Sequence, residues 1–102
     1  MKYKNKQFYI ENVNAKKISN KFGTPTYCYS EARIKENIFK FKKNFKQINP
    51  LICFSVKSNN NLQILKIIKN NNLGADVVSK GELMISLKAG ISPDKIVYSG
   101  VG

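Results

Sequence analysis

The sequence predicts an α/β chain that forms the first part of a parallel β/α barrel. Three observations point there. From Ser30 onward, stretches with helical apolar spacing alternate with apolar runs of strand length, in the order helix, strand, helix, strand, helix, strand. The connections between them are short, as in the β-α units of a parallel sheet. The strand-length runs are bounded by turn residues and nearly continuous, as strands buried on both faces are. Three short parallel strands cannot cover both faces and both edges of a sheet, and an open edge invites aggregation. The chain is therefore expected to be the N-terminal piece of a larger protein.

The elements follow in order. Phe8-Tyr9-Ile10 is a short strand. Asn14 caps a helix over Ala15 to Phe22, with Ile18 and Phe22 on one face, and Gly23 and Pro25 stop it. Thr26-Tyr27-Cys28-Tyr29 reads as a strand from its aromatic and β-branched content. Ser30 caps the next helix, with Glu31 in the first turn, where the dipole favours an anion. Ile34, Ile38, Phe41, Phe45 and Ile48 form one apolar stripe, which predicts a core-facing helix that Asn49-Pro50 breaks.

Leu51 to Val56 is the next strand, and Lys57 ends it. Asn59, Asn60 and Asn61 supply turn and capping chemistry. Leu62, Leu65 and Ile68, with Ile64 and Ile67, make an amphipathic helix that frays at Asn70-Asn71-Asn72. Gly74 to Val78 is a short buried strand. Ser79-Lys80-Gly81-Glu82 has capping-box spacing and starts a helix, with Leu83, Met84 and Leu87 as its apolar face and Gly90 past its end. Ser92-Pro93-Asp94 turns the chain into the strand Lys95 to Tyr98, and Ser99 to Gly102 is a loop.

The chain has 102 residues, enough for one small domain, and a formal net charge of +12 from 18 basic and 6 acidic residues. Such an excess invites a nucleic-acid or membrane-surface reading. Arg33 is the only arginine, however, and the lysines are spread along the helices. Bidentate reading of bases and phosphates favours arginine, so a bias toward Lys, Asn and Ile is the plainer account, and neither nucleic acid nor membrane is expected as a partner. There is no histidine, which excludes histidine triads and histidine metal sites within these residues. Cys28 and Cys53 are too far apart for a C-x-x-C motif, and with no secretion signal the expected place is the cytoplasm, with both thiols reduced.

Lys57, Asp76 and the Ser99-Gly100 loop fall at or just after the ends of successive strands, where β/α barrels build active sites. The residues leave three roles open for Lys57: a structural lysine salt-bridged to Asp76, a phosphate contact, or a reactive amine of the Schiff-base type. Asp76 either pairs with Lys57 or caps the following turn, and Glu82 is accounted for by the capping box. Ser58 and Asn59 bind a ligand or only shape the turn. Gly100-Val101-Gly102 looks like the start of a phosphate-binding glycine loop, although a lone G-x-G is a weak signal.

Phe54-Ser55-Val56-Lys57-Ser58-Asn59 resembles the Y-A-V-K-A-N motif of the fold-type III pyridoxal-phosphate enzymes, the alanine-racemase-like barrels. Asp76-Val77-Val78-Ser79-Lys80-Gly81-Glu82 resembles the D-V-V-S-x-G-E segment of the same family. Gly23-Thr24-Pro25-Thr26-Tyr27-Cys28-Tyr29 resembles the G-T-P-x-Y-V-Y opening of the diaminopimelate decarboxylase branch. Ile96 to Gly102 is similar to that branch's strand leading into S-G-x-x-K. These four motifs, in order, cover nearly the whole chain. Ser58 stands where the family usually has Ala, and Cys28 where it has Val.

The resemblance implies a pyridoxal 5'-phosphate-binding (β/α)8 barrel of the TIM type, incomplete here, with residues 30–102 as its first βα units. Residues 1–29 would belong with a β domain whose bulk lies at the far end of the chain. It implies that Lys57 forms the Schiff base with pyridoxal phosphate, with Asp76 and Glu82 as supporting acids near it. The implied reaction is decarboxylation of meso-2,6-diaminopimelate to L-lysine, in a homodimer when full length. Related decarboxylases of ornithine, arginine or carboxynorspermidine are alternatives. A non-catalytic pyridoxal-phosphate barrel and a basic nucleic-acid-binding module are alternatives of other classes. The family's ring-stacking histidine, phosphate loop, pyridine-nitrogen acid, substrate arginines and cysteine proton donor lie beyond these residues, so the 102 residues alone are expected to be inactive and to hold the cofactor weakly.

Overall fold

The first 34 residues form one compact unit. Three antiparallel strands, β1 (Lys2–Lys4), β2 (Gln7–Ile10) and β3 (Val13–Asn14), make a meander in sequence order. Asn5 and Lys6, both at positive φ (50° and 60°), join the first two strands in the two-residue hairpin geometry that matches strand twist. Only the middle strand is legible in the sequence. The Lys-Tyr-Lys of β1 has little apolar content, and Asn5-Lys6 lacks the glycine that usually signals such a turn. Helix α1 (Ala15–Phe22) starts as expected, with the Asn14 side chain accepting the Lys16 amide at 2.8 Å. Gly23 ends it at φ 79°, its amide bonded to the Ser19 carbonyl at 2.8 Å.

The structure, a computed structural model, describes residues 1–101. It corrects one strand: Thr26–Tyr29 has no ladder partner among the described residues and is not a strand, and the Thr24–Pro25 peptide before it is cis. Strand propensity without a neighbouring edge to pair with does not make a sheet.

Helix α2 (Glu31–Asn44) takes the chain into the second unit, residues 35 onward. Ser30 caps it, its hydroxyl accepting the Arg33 amide at 3.1 Å. The predicted core-facing stripe is corrected as well. Ile38 is buried, but Phe41, Phe45 and Ile48 are exposed, because the helix stops at Asn44 and nothing described covers its last turns. Phe41 and Phe45 instead stack on each other, ring centroids 5.7 Å apart.

The second unit is built on a parallel sheet in the order β4 (Cys53–Ser55), β5 (Gly74–Val77), β6 (Ile96–Tyr98). Helix α3 (Leu62–Asn70) links the first pair of strands and α4 (Lys80–Lys88) the second. This is the predicted β-α succession. Asn61 caps α3, accepting the Gln63 amide at 2.9 Å. Asn71 closes α3, its side-chain amide donating to the Ile67 carbonyl at 2.8 Å, so this end is capped where fraying was expected. The core comprises Val56, Ile64, Leu65, Ile68, Leu73, Ala75, Val77, Ala89 and Ile91.

Helix α4 buries a different face from the expected one. Met84 and Leu87 are exposed, while Ser86 and Ala89 are buried. Ser86 tolerates burial because its hydroxyl donates to the Glu82 carbonyl at 2.7 Å. Gly74 is required by its setting: a Cβ there would collide with the Lys95 carbonyl oxygen and lie 2.9 Å from the Cys53 sulfur.

Candidate active site at the ends of the parallel strands

Strand parity sorts the sheet into two faces. Register partners in a parallel sheet share a face, and neighbours along a strand alternate. Ala75 and Val77 lie on one face and are fully buried. Cys53, Ser55, Asp76 and Val97 lie on the other, linked by the registers Ser55 to Asp76 and Asp76 to Val97. This second face is less covered: Asp76 is half-buried and Val97 exposed.

β4 ends at Ser55, and the chain turns at once into a 3-10 turn, Val56–Ser58. Lys57 therefore sits within the turn that follows the strand rather than at the strand's end. The turn is pinned on both sides: the Ser58 hydroxyl donates to the Ser55 carbonyl at 2.7 Å, and the Asn59 amide donates to the Val56 carbonyl at 3.0 Å. Val56, fully buried, anchors it from below. The Asn59 side chain accepts the Asn61 amide at 3.0 Å, so Ser58 and Asn59 both shape the turn. Lys57 itself is exposed and takes no hydrogen bond or ion pair among the described residues, including none to Asp76.

Asp76 is engaged elsewhere. Its carboxylate accepts the Ser99 hydroxyl. Ser99 is held for this by its own amide, which donates to the Val77 carbonyl at 2.9 Å and extends the β5–β6 ladder past the strand. Cys53, on the same face, has its thiol pushed up by burial first and by the Asp76 charge second. Sequence reasoning missed Ser55 and Cys53 as companions of Asp76, and it set the Ser99 loop at the same strand ends without the hydrogen bond that joins the two. Strand parity was the signal that could have found them, once strand boundaries were known.

Glu82 does what its spacing predicts, with a shift of one residue. Its amide donates to Ser79 Oγ at 3.2 Å, while its carboxylate reaches back to the Val78 amide at 2.8 Å, one residue before the cap. The Gly100-Val101-Gly102 loop lies partly outside the described residues. Gly100 is locked against β5, where a Cβ would stand 2.6 Å from the Val78 carbonyl oxygen. Among the described residues no acidic, cysteine or histidine cluster could hold a metal, and no helix is long and apolar enough to cross a membrane.

The chain belongs to the pyridoxal-dependent decarboxylases: residues 31–102 match the family model described as the pyridoxal-dependent decarboxylase, pyridoxal binding domain. Its relatives narrow the branch. It is 43% identical over all 102 residues to the diaminopimelate decarboxylase of Aquifex aeolicus, and 43% identical over 100 residues to that of Pseudomonas fluorescens. It also superposes with a TM-score of 0.94, at 34% identity over 99% of its length, on the diaminopimelate decarboxylase of M. jannaschii in co-complex with L-lysine. The chain spans about a quarter of the length of these relatives, 24% of each of the first two and 25% of the third. The expected fold class therefore stands: the parallel sheet is the N-terminal part of that family's barrel.

Proposed function

We propose that these residues are the cofactor-bearing part of an enzyme that decarboxylates meso-2,6-diaminopimelate, releasing carbon dioxide and L-lysine. The observation that supports it most is an exposed amine, Lys57, on a hydrogen-bonded turn past a parallel strand, in a chain 43% identical along its whole length to a diaminopimelate decarboxylase. The relative solved with L-lysine supports an amino-acid ligand of that size.

The donor set suits pyridoxal phosphate. An aldehyde needs a primary amine that neighbours leave free, and Lys57 is such an amine among the described residues. Pyridoxal phosphate, when bound there, supplies the sink for the electron pair left as carbon dioxide departs. The chain's own residues hold and orient. Ser58 and Asn59 fix the turn that aims the Lys57 nitrogen. Asp76 offers a carboxylate on the neighbouring strand, register partner of Ser55 two residues before Lys57. Glu82 supports the site through the start of α4, which its carboxylate caps. The phosphate cradle, substrate contacts and proton donor belong to residues outside this chain. The working enzyme is a cytoplasmic homodimer, in which residues 1–29 join a β domain formed by the far end of the polypeptide.

The test is the complete polypeptide its gene encodes, supplied with pyridoxal phosphate and meso-diaminopimelate. It should release carbon dioxide and L-lysine in equal amounts, and Lys57→Ala should abolish the reaction. Preferential turnover of ornithine or arginine would contradict the assigned substrate.

A further inference from the structure

β4 is paired with β5 along one edge only. The Ile52 carbonyl accepts the Gly74 amide at 2.9 Å, so Ile52 and Phe54 turn their backbone groups toward β5. Backbone groups alternate between the two edges along a strand, so the Ser55 carbonyl points to the edge away from β5. Ser55 itself is extended, and nothing in its own backbone ends the strand there. The turn that follows does so. The Ser58 hydroxyl donates to the Ser55 carbonyl at 2.7 Å, and the Asn59 amide donates to the Val56 carbonyl at 3.0 Å. Any residue but proline could make the second bond. The first needs a side-chain donor, and the alanine usual in the family at this position has none. We propose that Ser58 is a positioning residue: its hydroxyl takes the last outward carbonyl of β4, ends the strand at Ser55 and so fixes where Lys57 leaves the sheet. The inference rests on the decarboxylase reading above for what Lys57 then does.

An unclaimed carbonyl at a sheet edge is open to another strand, and the residues after it are then free to continue extended. A serine hydroxyl bonding back three residues offers the backbone a local alternative to that ladder. Lys57 lies between the donor and the acceptor of this bond, inside the ring it closes, so its backbone is held from both sides. The rate at which the amine captures an aldehyde scales with the fraction of time it spends in the competent arrangement. One hydrogen bond shifts such an equilibrium by about threefold to tenfold, so a partial loss is expected and not abolition.

The complete polypeptide is used for two readouts. Without cofactor, protection of the Asn59 amide is followed by hydrogen-exchange mass spectrometry. With pyridoxal phosphate and borohydride, the rate of labelling at Lys57 is followed by peptide mapping. Ser58→Ala is expected to lower the protection and slow the labelling, each about threefold to tenfold, and to change the visible circular dichroism of the bound cofactor. Ser58→Thr, whose hydroxyl can bond back to the same carbonyl, should restore all three. Ser58→Val, of the same shape without the hydroxyl, should not. Ser58 is exposed, so these variants are expected to fold. If branching lowers the unfolding midpoint of both, the matched Thr and Val pair still isolates the hydroxyl. Wild-type labelling and spectrum in Ser58→Ala, whatever the Asn59 protection, overturns the positioning role, and so does equal behaviour of the Thr and Val variants. No label at Lys57 in the wild-type protein overturns the decarboxylase reading and the role of Ser58 with it.

Discussion

Ser55 on β4 and Asp76 on β5 are register partners, so their side chains stand beside each other on the same face of the parallel sheet. That pairing sets an acid next to the strand end from which the Lys57 turn departs. It also places Cys53, two residues earlier on β4, within reach of the Asp76 charge.

The Cys53 thiol is therefore expected to resist ionisation. In a Cys28→Ser background, alkylation of Cys53 near pH 8 should run severalfold slower than in the urea-unfolded chain, because the thiolate is the nucleophile. Asp76→Asn should recover only part of the rate, since burial is the larger cause. With the folded thiol raised above its unfolded value, the linked stability is present below the ordinary thiol range and lost as pH rises through the raised one.

Gly74→Ala should destabilise the sheet. The added methyl meets the Lys95 backbone, which cannot swing away as a flexible side chain could. Overpacking of this kind costs about 1–3 kcal/mol, readable as a lower midpoint in urea unfolding followed by far-UV circular dichroism.

Glu82→Ala removes the acceptor of the Val78 amide and should cost about 1 kcal/mol. Glu82→Gln keeps an acceptor oxygen and should cost less. Equal losses in the two variants would show that the Glu82 charge, and not this bond, matters.

Glu11 ties the β2–β3 turn to the start of α2. Its carboxylate accepts the Ala32 amide at 3.0 Å and the Ser30 hydroxyl at 2.8 Å, and these bonds hold it below the usual glutamate range. The linked stability is present above the unfolded glutamate's range and is lost as pH falls through the lowered one. Protection of the Ala32 amide, its exchange rate relative to that of the unfolded chain at the same pH, should fall on acidification through that window, and Glu11→Gln should abolish this dependence.

The sequence revealed most where local chemistry acts alone. The caps Asn14, Ser30, Asn61 and Ser79 stand as their side chains dictate, each accepting an amide of the first helical turn. It revealed least where a partner decides. The Thr26–Tyr29 segment has strand-like residues but no neighbouring edge, and β1 pairs through its backbone despite two lysines. For α4, the spacing of Leu83, Met84 and Leu87 named one face, while the packing took the smaller Ser86 and Ala89. At the site, Lys57 was visible from its motif. Its turn, the Ser99 donor to Asp76 and the reach of Glu82 to Val78 all depend on backbone paths that residue types do not encode.

The central claim is that Lys57, among the 17 other basic residues of the chain, is the one that takes the cofactor. Borohydride reduction of the complete polypeptide loaded with pyridoxal phosphate, followed by peptide mapping, tests it most directly. A single stoichiometric label at Lys57, absent in Lys57→Ala, is the predicted result. Label spread over the surface lysines, with Lys57 no more modified than the rest, would contradict it.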